Sequence, residues 1–177
     1  MGLNSKYTYF LLAKDFSDTC VVAEHKSKII AFSSGYISPT RKDTFFSWEA
    51  VVHENYRGNN LQKRMLIWQL RITGAKYLEG TVNPSNRASK RSFLGLAQLL
   101  ETKCEERLLF SEENFENDGH EAEILCRIGP ISPEKLSRNM WIVEGRGNER
   151  FERVFISTNG AKEASRTFED LSCTLQS

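Results

Sequence analysis

The sequence predicts an α/β layer protein, because strand patterns and helix patterns alternate through the middle of the chain. Residues 44–53, TFFSWEAVVH, are rich in β-branched and aromatic side chains, which favours a long strand. Apolar side chains then recur at helical spacing on one face: Leu61, Met65, Trp68 and Ile72. A second strand pattern and a second helix pattern follow, so helices are expected to pack on a sheet.

The elements before residue 44 are shorter. Residues 6–16 fit either a short helix or a strand-like cover, and both alternatives remain open. Residues 19–24 and 29–37 flank the polar turn HKSK and predict a hairpin, and residues 38–43 form a loop.

The elements after residue 60 are marked by their boundaries. A helix over 61–73 ends at Gly74, a common C-terminal stop. Residues 76–82 predict a strand with Glu79 between Tyr77 and Thr81 on one face. The turn NPSN then leads into a helix over about 87–101.

The C-terminal part of the chain differs from the rest in its polarity. Residues 115–128 predict a loop and a last strand. Residues 131–177 are more polar, with a possible hairpin around GRGN and helical spacing over 161–171. They form either an added strand-strand-helix unit or a loosely ordered appendage.

Composition narrows the class of protein. The chain has 177 residues and a net charge of +1, which favours one domain and gives no general attraction for nucleic acid or an anionic membrane. Four cysteines without CxxC or metal-ligand spacing indicate reduced thiols and no metal site. No run is long and apolar enough for a signal peptide or a membrane span, so we expect a cytoplasmic protein.

A phosphate site is suggested where the strand over 44–53 meets the next helix. The loop NYRGNNLQKR carries Arg57 and Gly58, and the helix that follows presents unpaired N–H groups and a positive dipole end. The loop is neither GxxxxGK[ST] nor GxGxxG, so a solvated helix N-terminus remains the alternative. A second strand-to-helix junction at Asn86 could clamp the other side of one long ligand.

Several stretches resemble the GCN5-related N-acetyltransferase superfamily and, within it, the L-2,4-diaminobutyrate acetyltransferases of ectoine biosynthesis. They are LNSKYTYFLLAKDFSDTCVVAE, GYISPTRKDTFFSWEAVV, RGNNLQKRML, LEGTVNPSNRASKRSF and HEAEILCRIGP, and they span residues 3–130. The resemblance implies a mixed, mostly antiparallel, twisted sheet flanked by helices, without a counterpart of the usual first strand and helix. It also implies an acetyltransferase domain over 1–130 with a C-terminal extension over 131–177.

The resemblance further implies a site for acetyl-CoA as co-substrate, with no metal. The pyrophosphate would be held by Arg57, Gly58, Asn59, Asn60, Leu61, Gln62 and Lys63. The pantetheine arm would lie between the backbone of Val51 and Val52 on one side and Asn86 with Ser89 on the other.

A small amino-acid substrate would be bound by Tyr7, Trp48, Glu79 and His120, and the catalytic residues would be Glu79 and His120. Each has a plainer alternative. Trp48, expected on the same strand face as Phe46, Ala50 and Val52, could be a core aromatic. Glu79 could be solvated, and His120 could be an exposed loop histidine. The family also implies a homodimer.

Three departures from the family pattern bear on function. Its loop glycines are replaced by Asn60 and Gln62, and Phe93 stands where many relatives place a tyrosine acid. Asparagine tolerates the left-handed backbone conformation. The alternatives to a diaminobutyrate acetyltransferase are an acetyltransferase for another small amine and a degenerate CoA-binding relative.

Overall fold

A seven-stranded sheet organises this computed structural model, which describes residues 5–26, 28–116, 119–139 and 155–157. The strands are β1 (Val21–His25), β2 (Lys28–Ile37), β3 (Thr44–Val52), β4 (Tyr77–Val82), β5 (Lys103–Phe110), β6 (Glu123–Gly129) and β7 (Phe155–Ser157). The helices are α1 (Lys6–Asp15), α2 (Leu61–Thr73), α3 (Arg87–Leu99) and α4 (Pro133–Arg138). The strand order is β5-β6-β4-β3-β2-β1-β7, and among these described strands only β3 and β4 pair in parallel. The mixed, mostly antiparallel sheet is therefore confirmed.

The first segment is a helix and not a strand-like cover. Ser5 accepts a hydrogen bond from the Thr8 N–H at 3.3 Å, which caps α1. The predicted hairpin is β1 and β2, and the predicted strands and helices over 44–82 are β3, α2 and β4. α2 has the predicted bounds because both of its end residues, Asn60 and Gly74, adopt the left-handed conformation.

The strand β5 was not predicted from the sequence, and β6 is not the last strand. The β5 segment KCEERLLF shows no clean alternation, because β5 lies at the sheet edge and most of its side chains are exposed. Such an edge strand is recognised by its backbone partner, here β6, rather than by an apolar pattern of its own.

The two faces of the sheet are covered by different helices. Phe45, Leu78 and Ile128 are fully buried in the main core with residues of α2 and α3. On the opposite face, Tyr9 and Leu12 of α1 pack against the β1 and β2 side chains. α2 and α3 have 13 residues each, and every described helix falls short of the length and apolarity that a membrane span requires.

Part of the C-terminal extension packs with the rest of the chain. Ile131 and Leu136 are buried in the main core, and β7 pairs antiparallel with β1. The hairpin around GRGN and the helix over 161–171 lie outside the described residues. The division into 1–130 and 131–177 stays a prediction.

Candidate active site

The strands β3 and β4 pair over only three residues and then separate. Their pairs are Thr44 with Tyr77, Phe45 with Leu78, and Phe46 with Glu79. Beyond Phe46, β3 continues to Val52 while still paired with β2, and β4 continues to Val82 while paired with β6. The two strands thus leave between them a gap with free backbone edges.

A β-bulge in β3 lies at the mouth of this gap. Ser34 pairs with Glu49 and Gly35 with Ser47, so Trp48 is the extra residue. A side chain on Gly35 would place its Cβ 2.5 Å from the Phe46 carbonyl oxygen, so glycine permits this close approach of β2 and β3. The bulge also interrupts the strict alternation of side chains along β3.

The prediction that Trp48 shares a strand face with Ala50 and Val52 was wrong for this reason, whereas Trp48 and Phe46 do share a face, since both contact Tyr36. Ala50 and Val52 pair with β2 residues that face α2. Trp48 instead contacts Tyr36 on the opposite face, with the two ring centroids 6.1 Å apart. Its side chain is 47% exposed, so the alternative of a plain core aromatic is also wrong.

The backbone of Val52 faces the gap, whereas that of Val51 does not. The His53 N–H donates to the Ile30 carbonyl at 2.9 Å, which makes Ala31 and Val52 a non-hydrogen-bonded antiparallel pair. The N–H and C=O of Val52 therefore point away from β2, as do those of Ala50 two residues earlier. The hydrogen bonds of Val51 go to Phe32.

The loop before α2 has the backbone that the sequence suggested. Gly58 and Asn60 have φ values of 79° and 56°, both left-handed. The side-chain amide of Asn59 donates to the carbonyls of Tyr56 and Arg57 at 2.9 and 3.0 Å and holds the loop together. Asn60 makes no side-chain capping bond, so the first N–H groups of α2 remain open to an anion.

Two basic side chains flank this helix end. Arg57 is exposed and donates from Nε to the Val52 carbonyl at 3.3 Å, which leaves its terminal nitrogens for a ligand. Lys63 lies on the first turn of α2 and reaches towards α3, where a Cβ on Gly95 would come within 2.8 Å of Nζ. The half-buried Gln62 stands between them in sequence, and Leu61 is buried beneath the loop.

The second junction is capped by its own side chain. Asn86 accepts from the Ser89 N–H at 3.1 Å, which starts α3. Phe93, one helical turn further, is buried against Gly80, where an added Cβ would come within 2.5 Å of the ring. Phe93 therefore packs α3 onto β4, and it offers no proton.

Glu79 is buried in a double ion pair. It is 2% exposed, so the solvated-face alternative is wrong. Arg41 in the β2–β3 loop donates to Oε2 at 2.7 Å, and Arg127 on β6 donates to Oε1. The Arg127 guanidinium also lies 3.9 Å above the ring of Tyr77.

His120 lies at the far end of β4. Its Nδ1 is 2.7 Å from the Glu121 carbonyl oxygen, and its ring stacks on Phe115 with centroids 4.2 Å apart. Ser85 of the NPSN turn donates through its N–H to the Glu121 carboxylate at 3.0 Å, and the hydrogen bonds from Ser85 lower the pKa of that carboxyl. The histidine is therefore fixed beside the β4–α3 turn, about four strand residues or 13 Å from Glu79 along β4.

Not all of the predicted substrate residues meet in the described structure. Trp48 and Glu79 share one region, because Tyr36 links Trp48 to Phe46, which pairs with Glu79. Tyr7 is 69% exposed on α1. Arg41 and Arg127 were not predicted as site residues. For Arg127 the sequence held a signal, because it is a charged residue within the apolar pattern of β6 and is opposite in sign to Glu79.

The described cysteines are poor nucleophiles. Burial, helped by Cys104 and Glu106, raises the pKa of Cys126 to about 12, and burial also raises the pKa of Cys20 and Cys104. These groups stay protonated near neutral pH, which argues against an acetyl-cysteine route through them. Among the residues that the structure describes, no three His, Cys, Asp or Glu side chains converge as a metal site would require.

Comparisons with known proteins agree with this architecture. The chain is 40% identical over 134 residues to an L-2,4-diaminobutyric acid acetyltransferase of Virgibacillus pantothenticus, covering 74% of this chain and 84% of the relative. It is 38% identical over 135 residues to a protein of the same name from Marinococcus halophilus, covering 75% and 78%. No family-level sequence profile matches.

A solved structure is also similar. The diaminobutyrate acetyltransferase EctA from Paenibacillus lautus, in complex with L-2,4-diaminobutyric acid and coenzyme A, aligns with a TM-score of 0.69 and 38% identity, over 73% of this chain and 81% of that one. With relatives of this identity over about three quarters of its length, the chain belongs to the L-2,4-diaminobutyric acid acetyltransferase family of the GCN5-related N-acetyltransferases.

Proposed function

We propose that this chain transfers the acetyl group of acetyl-CoA to the 4-amino group of L-2,4-diaminobutyrate, a step of ectoine biosynthesis. The observation that carries the proposal is the gap between β3 and β4, which lies beside a left-handed loop and the open N-terminus of α2. This arrangement accepts a long ligand with a pyrophosphate at one end. It occurs in a chain 40% identical to a diaminobutyrate acetyltransferase.

The first side of the site would hold acetyl-CoA, which supplies the acetyl thioester. The amides at the start of α2 and the Arg57 guanidinium would bind the pyrophosphate, since both present positive charge to the same place. The N–H and C=O of Ala50 and the N–H of Val52, which point away from β2, would pair with the amides of the pantetheine arm. One of the N–H groups of β3 in the gap would oppose the negative charge that develops on the thioester oxygen.

The second side would hold the amino acid. Trp48 and Tyr36 form an aromatic surface beside the gap, and Glu79 with its two arginines lies next to it. The 4-amino group must lose a proton before it attacks. Much of the rate would come from holding the two substrates in contact, for which the rigid strand backbone is suited.

Glu79 and His120 are the two candidates for accepting that proton. Both oxygens of Glu79 already accept hydrogen bonds from guanidinium groups, so each oxygen has a partner before an amine arrives. In His120, Nδ1 must carry the hydrogen because its partner is a carbonyl oxygen, so Nε2 of the neutral ring is basic. The carboxylate of Glu123 lies 3.6 Å from Nε2.

The family resemblance extends the proposal to a homodimer working in the cytoplasm without a metal. The relevant experiment incubates the purified chain with acetyl-CoA and L-2,4-diaminobutyrate and determines the acetylation site of the product by NMR. We expect the N4-acetyl product. An N2-acetyl product or acetylation only of other amines would favour the different-amine alternative, and no product despite CoA binding would favour a degenerate relative.

A further inference from the structure

We infer that Arg41 and Arg127, aligned by Glu79, form a clamp for the α-carboxylate of the amino-acid substrate. The inference rests on the proposed function and specifies how the acceptor is recognised. Arg41 and Arg127 come from different elements, the β2–β3 loop and β6, yet both donate to the same buried carboxylate. The clamp named here is these three residues.

Arg41 and Arg127 have N–H donors that the pairing with Glu79 does not use. The described hydrogen bonds use one terminal nitrogen of each guanidinium. Each arginine has five N–H donors in a planar fork, a geometry that matches a carboxylate. The side chains of Arg41 and Arg127 are 47% and 28% exposed, whereas Glu79 is buried beneath them. A ligand can therefore reach the arginines from solvent.

The charge of the clamp also favours an anionic ligand. Two guanidinium charges against one carboxylate leave a net positive charge of one. On the β3 side, the residues beside Glu79 on its face of the sheet are the aromatic rings of Phe46 and Tyr36, which supply no charge. On the β5 side, the exposed Glu105 pairs in register with Arg127, so the excess positive charge lies on the Arg41 side of the clamp. An amino-acid carboxylate would balance the excess, and bidentate pairing with arginine is a strong charge-assisted contact.

The position of the clamp fits the proposed reaction. Glu79 belongs to the last residue pair that joins β3 to β4, so the clamp stands at the mouth of the gap. A substrate held there by its carboxylate can direct its far end into the gap, where the Val52 N–H points away from β2. In this arrangement Glu79 is a positioning residue, because its two oxygens fix the orientation of both guanidinium groups.

The test compares substrates and variants together. The substrates are L-2,4-diaminobutyrate and its carboxamide, 2,4-diaminobutanamide, which keeps both amines but removes the negative charge. The variant is Arg41→Gln, chosen because Arg41 is half exposed, and the control is Arg71→Gln, an exposed arginine on α2 at the opposite face of the sheet. Release of free CoA gives kcat and KM for each combination.

The parent protein should prefer the diaminobutyrate by about 10- to 100-fold in kcat/KM, as expected for losing a hydrogen bond between charged groups. Arg41→Gln should remove most of that preference, mainly by raising KM for the diaminobutyrate. Arg71→Gln should behave like the parent. A circular dichroism spectrum and a melting temperature close to those of Arg71→Gln show that the Arg41→Gln variant is folded.

Two results would overturn the clamp. One is equal use of both substrates by the parent protein, which would leave the proposed function intact because diaminobutyrate would still be acetylated. The other is an Arg41→Gln variant that keeps the full preference for diaminobutyrate over its carboxamide, together with the same unchanged preference in Arg127→Lys. If the parent acetylates neither substrate, the proposed function itself fails, and calorimetric titration with diaminobutyrate then tests the clamp. Binding of diaminobutyrate that Arg41→Gln weakens would support the clamp. No binding, or binding that Arg41→Gln leaves unchanged, would contradict it.

Discussion

Phe46 pairs with Glu79, and this is the last residue pair that joins β3 to β4. From this pair onward the two strands diverge, and the bulge at Trp48 follows two residues later. One residue pair thus separates a continuous sheet from an open gap. It also places the buried carboxylate of Glu79 and its two arginines at the point of separation.

Arg57 is expected to contribute to CoA binding through the pyrophosphate. Replacing Arg57 by alanine should weaken binding by about 1.5–3 kcal/mol, the range for a hydrogen bond to a charged group. Dephospho-CoA, which keeps the pyrophosphate, should show the same loss, whereas pantetheine should be insensitive. Calorimetric titration with the three ligands measures this. If the variant binds CoA as well as the parent does, the loop is only a solvated helix N-terminus.

Glu79 is expected to act through the arginines and not as the proton acceptor. Glu79→Gln should lower kcat/KM for diaminobutyrate by about 10- to 100-fold, mainly by raising KM, since the guanidinium groups lose their anchor. Steady-state kinetics should show the larger fall in kcat for His120→Gln instead. A loss of about 10²- to 10⁴-fold in kcat for Glu79→Gln would identify Glu79 as the general base.

Trp48 is expected to matter for substrate affinity more than for stability. Its ring is about half exposed and makes an edge contact with Tyr36. Trp48→Ala should therefore cost less than about 1.5 kcal/mol in the free energy of unfolding, the upper value for one aromatic pair. It should raise KM for diaminobutyrate by roughly tenfold, or about 1.4 kcal/mol.

The fully buried Phe45 provides the matched comparison for Trp48. Phe45→Ala should destabilise the protein by about 3–5 kcal/mol because it opens a cavity in the main core. Urea unfolding of both variants gives the two free energies. Equal losses would mean that Trp48 packs as a core residue after all.

The C-terminal boundary can be tested by two truncations. A chain ending at residue 139 keeps Ile131 and Leu136, which are buried in the main core, and a chain ending at residue 130 loses both. Each buried aliphatic side chain contributes about 1.5–3 kcal/mol, so the shorter chain should melt well below the longer one. Equal melting temperatures would support a domain that ends at residue 130.

The helices α2 and α3 and the loop before α2 could be predicted from the sequence because their signals are local, whereas α1 was left open and α4 was not predicted. Asn60 and Gly74 stand where α2 begins and ends, and both adopt the backbone that their residue types favour. The sheet face on which Trp48 lies could not be predicted in the same way. Its bulge exists only in the register between β2 and β3, which joins residues far apart in the chain.

The clamp was missed for a similar reason. Glu79 was noticed as a carboxylate in a strand, but its partners Arg41 and Arg127 lie 38 and 48 residues away. No local pattern connects them. Only the order β6-β4-β3 brings them to one face of the sheet.

The most direct test of the central claim is release of free CoA from acetyl-CoA with a panel of amines. The account predicts that L-2,4-diaminobutyrate reacts faster than ornithine, lysine and spermidine. Each added methylene moves the reacting amine by about 1 Å from a position fixed by the other end of the molecule. Comparable kcat/KM values across the panel would contradict the account and indicate an acetyltransferase for small amines in general.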